Sequence, residues 1–180
     1  MSYCEYCKQE KTKEVHIVYH DNWYGFPIDD DNQLFGRLIM EINQAGLSWE
    51  TILNKEDNFK MAYSNFDIAT IAQYDEGQRE RLLNDAGIIR NKLKVNAAIY
   101  NAQQIMQIKE AFGSFKQWLD KKHPLSLEEW TKLFKLTFKF VGGEIVNEFL
   151  MSTGYLSGSH DENCPIFAKI AKVNPKWMEI

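Results

Sequence analysis

Cysteine and histidine collect at the two ends of this 180-residue chain. The front holds Cys4, Cys7, His16 and His20, the back holds His160 and Cys164, and only His123 lies elsewhere. Thiolates and imidazoles in such groups are the usual ligands of zinc. Two sets of four compete. Cys4-x2-Cys7-x8-His16-x3-His20 has zinc-finger ligand order, but its central gap is eight residues, where about 12 is usual. The interval 8–15 is also mostly charged. The other set joins Cys4 and His20 to His160 and Cys164, an i, i+4 pair. Four such ligands would close a tetrahedral structural site and tie down both chain ends. Unrelated surface histidines and buried cysteines are the third reading, and spacing alone leaves all three open.

A carboxylate stands among aromatics. Glu41 falls at the edge of the apolar stripe formed by Leu34, Phe35, Leu38, Ile39 and Ile42. A carboxylate there must find a partner or line a pocket. Trp49 follows one turn and one helix later, and Tyr19 precedes. Aromatic faces plus one carboxylate suit a planar, nitrogen-rich or cationic ligand. An ordinary salt bridge and a core tryptophan explain the same residues.

Residues 76–111 read as helix, short turn, long helix. Gly87 sits in the turn, and Arg90, Lys92 and Lys94 open the second helix. A helix N-terminus offers unpaired N–H groups to a phosphate, and nearby cations add a salt-sensitive attraction. A plain αα-hairpin has the same outline. Charge distribution bears on the choice. Residues 1–85 carry 8 basic and 16 acidic side chains, residues 86–143 carry 10 and 4, and residues 144–180 carry 3 and 5. The middle third is thus basic inside a chain of net charge −4. That fits a localised surface for a polyanion, or a solvated lysine face.

The elements that must position these groups are helical. Asp29-Asp30-Asp31-Asn32 offers caps for the helix carrying Leu34 to Ile42, Gly46 breaks it, and Ser48 caps the next. Helices are predicted over 59–66, 75–84, about 91–111, 115–119, 125–138 and 143–151. Phe138 to Val141 is the one period-2 run. The segment after Cys164 has no clear reading. Apolar residues make up 44% and charged residues 26%, an ordinary globular balance. Three cysteines argue against a disulfide framework. No apolar run spans a membrane and no secretory leader opens the chain, so the expected home is the cytoplasm.

Together these residues resemble the 3-methyladenine DNA glycosylase I family of the helix-hairpin-helix glycosylase superfamily. The resemblance rests on Cys4, Tyr19-His20-Asp21, Glu41-x2-Gln44-Ala45-Gly46-Leu47-Ser48-Trp49, Asp85 to Asn91, Phe138 to Gly142, and His160-x3-Cys164. It implies an all-α, single-domain fold over residues 1–180, its two ends tied by a structural zinc on Cys4, His20, His160 and Cys164. It implies that Glu41 is the catalytic residue holding the excised base, in a pocket with Tyr19 and Trp49. Tyr6 and His16 stand where the family commonly has tryptophan and tyrosine, at the rim of that pocket. It implies DNA contact through Gly87, Ile88, Arg90, Lys92 and Lys94.

The implied reaction is monofunctional hydrolysis of alkylated double-stranded DNA, without lyase chemistry, by a monomer that releases free 3-methyladenine. Departures touch the pocket rim and the last core helix: Trp23-Tyr24 replaces the usual Glu-Trp before Gly25, and Gly143 to Asn147 opens that helix with more polar residues than usual. They leave room for a glycosylase of other N3-alkylated purines, a DNA-binding accessory without excision, or a zinc-stabilised interaction module.

Overall fold

The computed structural model describes residues 1–179, and no strand occurs among them. Twelve helices follow in chain order. They are α1 (Tyr3–Cys7), α2 (Glu14–Asn22), α3 (Asp31–Gln44), α4 (Trp49–Leu53), α5 (Glu56–Ala62), α6 (Ile68–Ala72), α7 (Glu76–Asn84), α8 (Lys92–Phe112), α9 (Phe115–Lys122), α10 (Leu127–Thr137), α11 (Gly143–Ser152) and α12 (Pro165–Lys172).

Helix starts follow from capping chemistry. Asp30, Ser48, Asp67, Asp75, Ser114 and Ser126 each accept a backbone N–H of the turn that follows. Each satisfies a donor the helix itself leaves orphaned. Gly46 sits just beyond α3 at φ 80, a conformation that side chains with a Cβ resist. The helix expected over 59–66 is instead α5 followed by a 3-10 turn at Ser64–Phe66. Ser64, Asn65 and Phe66 all have positive φ there, so an α-helix cannot continue.

Helix α3 is the centre of the molecule. The sequence gives it one apolar stripe, yet every residue from Leu34 to Asn43 is buried. Its neighbours are α4, α6, α8, α9 and α11. A helix covered on all sides must bury its polar residues too, which fixes the fate of Arg37 and Glu41. At its N-terminus Asp31 accepts the backbone N–H groups of Phe115 and Lys116, each at 2.9 Å, and so caps α9. At its C-terminus the Lys94 ammonium donates to the carbonyls of Asn43 at 2.8 Å and Ala45 at 2.7 Å.

The period-2 run at Phe138 to Val141 forms no strand. The buried Asn101 of α8 takes its backbone bonds: Asn101 Nδ2 donates to the Lys139 carbonyl at 3.1 Å, and Lys139 N–H donates to Asn101 Oδ1 at 2.7 Å. One side chain thus supplies the donor and acceptor that a neighbouring strand would. Phe138 and Val141, three positions apart, still reach the core, and Phe140 between them has φ 58, outside the extended conformation of a strand. The unplaced tail becomes α12, whose Ile166 and Ile170 pack with Cys4 and Cys164 in a small second core.

Gly36 shows how tightly α3 is held. A Cβ there would lie 2.4 Å from Cδ2 of the Phe66 ring. Gly36→Ala is therefore expected to destabilise the protein by about 1–3 kcal/mol, the usual cost of overpacking a core. Urea unfolding of both proteins measures it, and equal midpoints would contradict it.

Candidate active site and metal centre

Tyr3 and Tyr19, which immediately precede Cys4 and His20, border a cavity of about 700 Å³ together with residues of α3, α4 and α11. Three tyrosines form one wall. Tyr19 and Tyr24 lie 5.5 Å apart between ring centroids, and Tyr3 meets Tyr24 edge-on at 5.5 Å. Trp49, at the start of α4, meets Tyr19 edge-on at 5.2 Å. Behind Tyr19 lies the buried Arg37, whose Nη1 donates to the Tyr19 hydroxyl at 3.2 Å and the Ser152 carbonyl at 3.4 Å. Its guanidinium also stacks 5.1 Å from the Tyr19 ring centroid. Tyr19 is thereby held at both ring and hydroxyl.

Glu41 lines this cavity one helical turn after Arg37. It is 3% exposed, and its carboxylate has no hydrogen-bond partner among the described residues. Burial pushes its pKa up to about 8, Arg37 pulls it down, and Glu148 adds to the rise. An unpaired buried carboxylate is costly unless something fills the space before it. The salt bridge that would explain Glu41 without a ligand is not formed.

The opposite wall comes from the N-terminal end of α11. Gly142 precedes this helix without a side-chain cap, and Gly143 to Ile145 border the cavity. Glu148, one turn further on, lines it as well and accepts a hydrogen bond from the Tyr24 hydroxyl at 3.3 Å.

The structure also separates the competing metal readings. Cys4, His20, His160 and Cys164 are buried, and their ligand atoms all lie within 4.8 Å of one another. Cys4 Sγ is 3.3 Å from His20 Nε2 and 3.4 Å from His160 Nδ1, and Cys164 Sγ is 3.8 and 3.7 Å from the same nitrogens. A tetrahedral zinc with ordinary bond lengths places such atoms roughly 3.3–3.8 Å apart. The other ring nitrogens are occupied: His20 Nδ1 bonds Asp21 at 2.6 Å, and His160 Nε2 donates to the Tyr24 carbonyl at 2.8 Å. Outer partners of this kind leave the facing nitrogens free to ligate. The donor set fits a metal ion, and the front-only set is not assembled. His16 turns away to Tyr3, whose hydroxyl lies 2.9 Å from its Nδ1, and Cys7 donates to the His16 carbonyl at 3.8 Å.

The metal group and the cavity share their scaffolding. Tyr3 precedes Cys4, Tyr19 precedes His20, and the Tyr24 carbonyl is held by His160. Each tyrosine of the wall is one bond or one hydrogen bond from a ligand residue.

Other sequence expectations divide. Glu41, Tyr19 and Trp49 meet at the cavity. Tyr6 and His16 do not line it: they pack edge to face at 5.1 Å, behind Tyr3. Tyr3, Tyr24 and Glu148 take the places that the motif reading left empty. Tyr24 was visible as a departure from the motif, whereas Tyr3 and Glu148 carried no signal of their own.

At the hairpin, Gly87 is braced by Lys55, just before α5, and by Asn58 within it, which donate to its carbonyl at 3.1 and 3.3 Å. Ile88 is buried as the anchor of the turn, while Arg90 and Lys92 are exposed. Lys94 is the exception. It is 4% exposed, because its ammonium caps the carbonyl end of α3 instead of facing solvent.

A family model described as methyladenine glycosylase matches residues 8–130. DNA-3-methyladenine glycosylase 1 of Escherichia coli (strain K12) is 33% identical over 89% of this chain and 95% of its own length. A crystal structure of 3-methyladenine DNA glycosylase I is 32% identical, with a TM-score of 0.78 over 88% of this chain and 97% of the other. A structure described as the basis of 3-methyladenine recognition by the Staphylococcus aureus enzyme has a TM-score of 0.80 at 27% identity, over 92% and 97%.

The Glu41 environment sets a pH dependence of stability. The unfolded chain releases this proton near the ordinary value of 4.5, and the folded protein holds it to about 8. Folded protein binds more protons in that window, so ionising Glu41 costs stability as pH rises through it. Glu41→Gln removes the cost. Its melting temperature should gain on wild type between about pH 5 and 8 and keep that gain above. Parallel melting curves across this range would contradict it.

Proposed function

Because this chain belongs to the methyladenine glycosylase family and is a DNA glycosylase, we propose that it hydrolyses the glycosidic bond of 3-methyladenine in alkylated double-stranded DNA. The observation that carries this reading is Glu41: a buried carboxylate without a protein partner, facing an aromatic cavity. 3-Methyladenine is cationic while attached to the sugar, so its bond is already labile. An enzyme must take the base out of the stack, at a cost of a few kcal/mol, and bind it where undamaged bases gain less.

The cavity does this through its own residues. Tyr19 and Trp49 present ring faces and edges to a planar base, and Arg37 keeps Tyr19 from turning. Glu41 accepts a hydrogen bond from the exocyclic amine. A cation before it favours the ionised carboxylate, and a neutral base does not, so the burial cost of Glu41 is relieved only by the charged lesion. In the bond change, water oxygen joins the sugar C1′ as the C1′–N9 bond breaks. The electron pair of that bond goes to N9 and neutralises the base, and a water proton leaves to solvent. The reaction of this reading is hydrolytic and monofunctional, without strand cleavage, and a cavity lining without lysine among the described residues supports it.

Cys4, His20, His160 and Cys164 hold a structural zinc. With four protein ligands it has no open position and supplies fold rather than chemistry. The enzyme acts as a cytoplasmic monomer. The duplex is gripped at the turn between α7 and α8, where Arg90 and Lys92 meet phosphates.

Three outcomes follow. Wild-type protein should release 3-methyladenine from methylated duplex DNA without nicking it, and Glu41→Gln should slow release at least about tenfold; chromatography of the freed bases reads both, and equal rates would remove Glu41 from the reaction. A strong chelator should lower the melting temperature by about 5 °C or more before activity fades, and zinc should restore it; an unchanged melt would contradict a structural metal. Arg90→Ala and Lys92→Ala should each lower the salt slope of DNA binding by roughly one, while Lys94→Ala should cost stability and leave that slope alone.

A further inference from the structure

Arg37 meets Tyr19 on one side and lines a second cavity, of about 440 Å³, on the other. That volume lies in the range of small-molecule sites. The second cavity shares no lining residue with the one before Glu41.

Its charge is not balanced. Arg37 is 7% exposed, and among the described residues it forms no ion pair. A guanidinium carries five N–H donors. Nη1 spends its two on the Tyr19 hydroxyl and the Ser152 carbonyl. The donors of Nε and Nη2 bond nothing among the described residues. Two other charged side chains border the cavity, and they cancel: Lys60 Nζ is 2.7 Å from Glu56 Oε1. One positive charge is therefore left over. A buried cation without a counter-charge is costly to the fold unless an anion reaches it.

The walls say what else that anion carries. Trp23, Phe26, Met40 and Phe66 line the cavity, with Met40 and Phe66 buried and the other two half-buried. Aromatic and thioether surfaces of this kind hold a flat apolar body. The Nε and Nη2 donors form the edge of the guanidinium that pairs with both oxygens of a carboxylate. Phosphate fits the same fork, but it brings more charge than one guanidinium matches and nothing for the apolar walls to hold.

We infer that this second cavity is a ligand site for a small aromatic monocarboxylate, its ring among Trp23, Phe26, Met40 and Phe66 and its carboxylate on the Nε–Nη2 edge of Arg37. The inference stands apart from the glycosylase reading, because it uses no residue of the cavity before Glu41.

The test is isothermal titration calorimetry of the full chain with 1-naphthylacetate as the probe. Saturable one-to-one binding is expected. 1-Naphthylacetamide, which keeps the ring and loses the charge, should bind at least about tenfold more weakly, the usual result of taking away one partner of a buried charge pair. Acetate and inorganic phosphate, which keep a charge and lose the ring, should also bind more weakly than the probe. Lys60→Glu puts a second negative charge at the mouth of this cavity alone and should weaken the probe by at least about threefold. Arg37→Met, compared with wild type at matched melting behaviour, should lose the probe altogether. If that variant does not fold, the wild-type and Lys60→Glu titrations still decide. No saturable binding of the probe up to about 10 mM would overturn the inference. Equal affinity for the amide would overturn the role of Arg37, and phosphate binding as tightly as the probe would overturn the ligand class. Affinity unchanged in Lys60→Glu would put the probe elsewhere on the protein and overturn the site.

Discussion

A carboxylate buried without a partner governs this structure. Glu41 sits in the middle of α3, which is covered on every side, and it faces a cavity instead of a cation. Such a group disfavours its own charged form and keeps its proton to about pH 8. The arrival of a positive charge reverses that preference. In the proposed reading, the free energy withheld from folding becomes available to a cationic ligand. Arg37, one turn before, moderates the effect from behind the tyrosine wall without a hydrogen bond or ion pair to Glu41 among the described residues.

A cavity of this kind demands rigid walls, because a relaxed one would admit water to the carboxylate and erase its selectivity. Rigidity comes from the ends of the chain. Tyr3, Tyr19 and Tyr24 are each tied to a residue of the Cys/His group, and that group draws α1, α2 and the segment before α12 together. The chain termini, ordinarily the loosest parts of a small protein, are thus made part of the binding wall. Helix α3 is fixed at both ends too: Asp31 caps α9, and Lys94 caps α3 itself.

Local chemistry was readable in the residues. Asp30, Ser48 and Gly46 act as their types suggest, and the stripe of Leu34, Phe35, Leu38, Ile39 and Ile42 lies in the core. Long-range substitutions of one interaction for another were not. Phe138 to Val141 alternates like a strand, but its ladder is a single asparagine from α8. Lys94 looks like a surface cation of the hairpin, yet its partners lie some fifty residues earlier, at 51 and 49 positions' distance. Helix α12 has only Ile166 and Ile170 to bury, and these make sense once the metal group has assembled beside them. Glu148 reads as one polar residue of an amphipathic helix, because only the packing of α11 against α3 turns it toward the cavity. Tyr6 and His16 show the reverse: motif position placed them at the pocket, and Tyr3 stands in front of them.

The most direct test observes Glu41 itself. Carbon-13 NMR of the labelled glutamate carboxyls, assigned by the Glu41→Gln spectrum, gives its titration in the free protein. The account requires a midpoint near 8. Titration in the ordinary carboxylate range would contradict it.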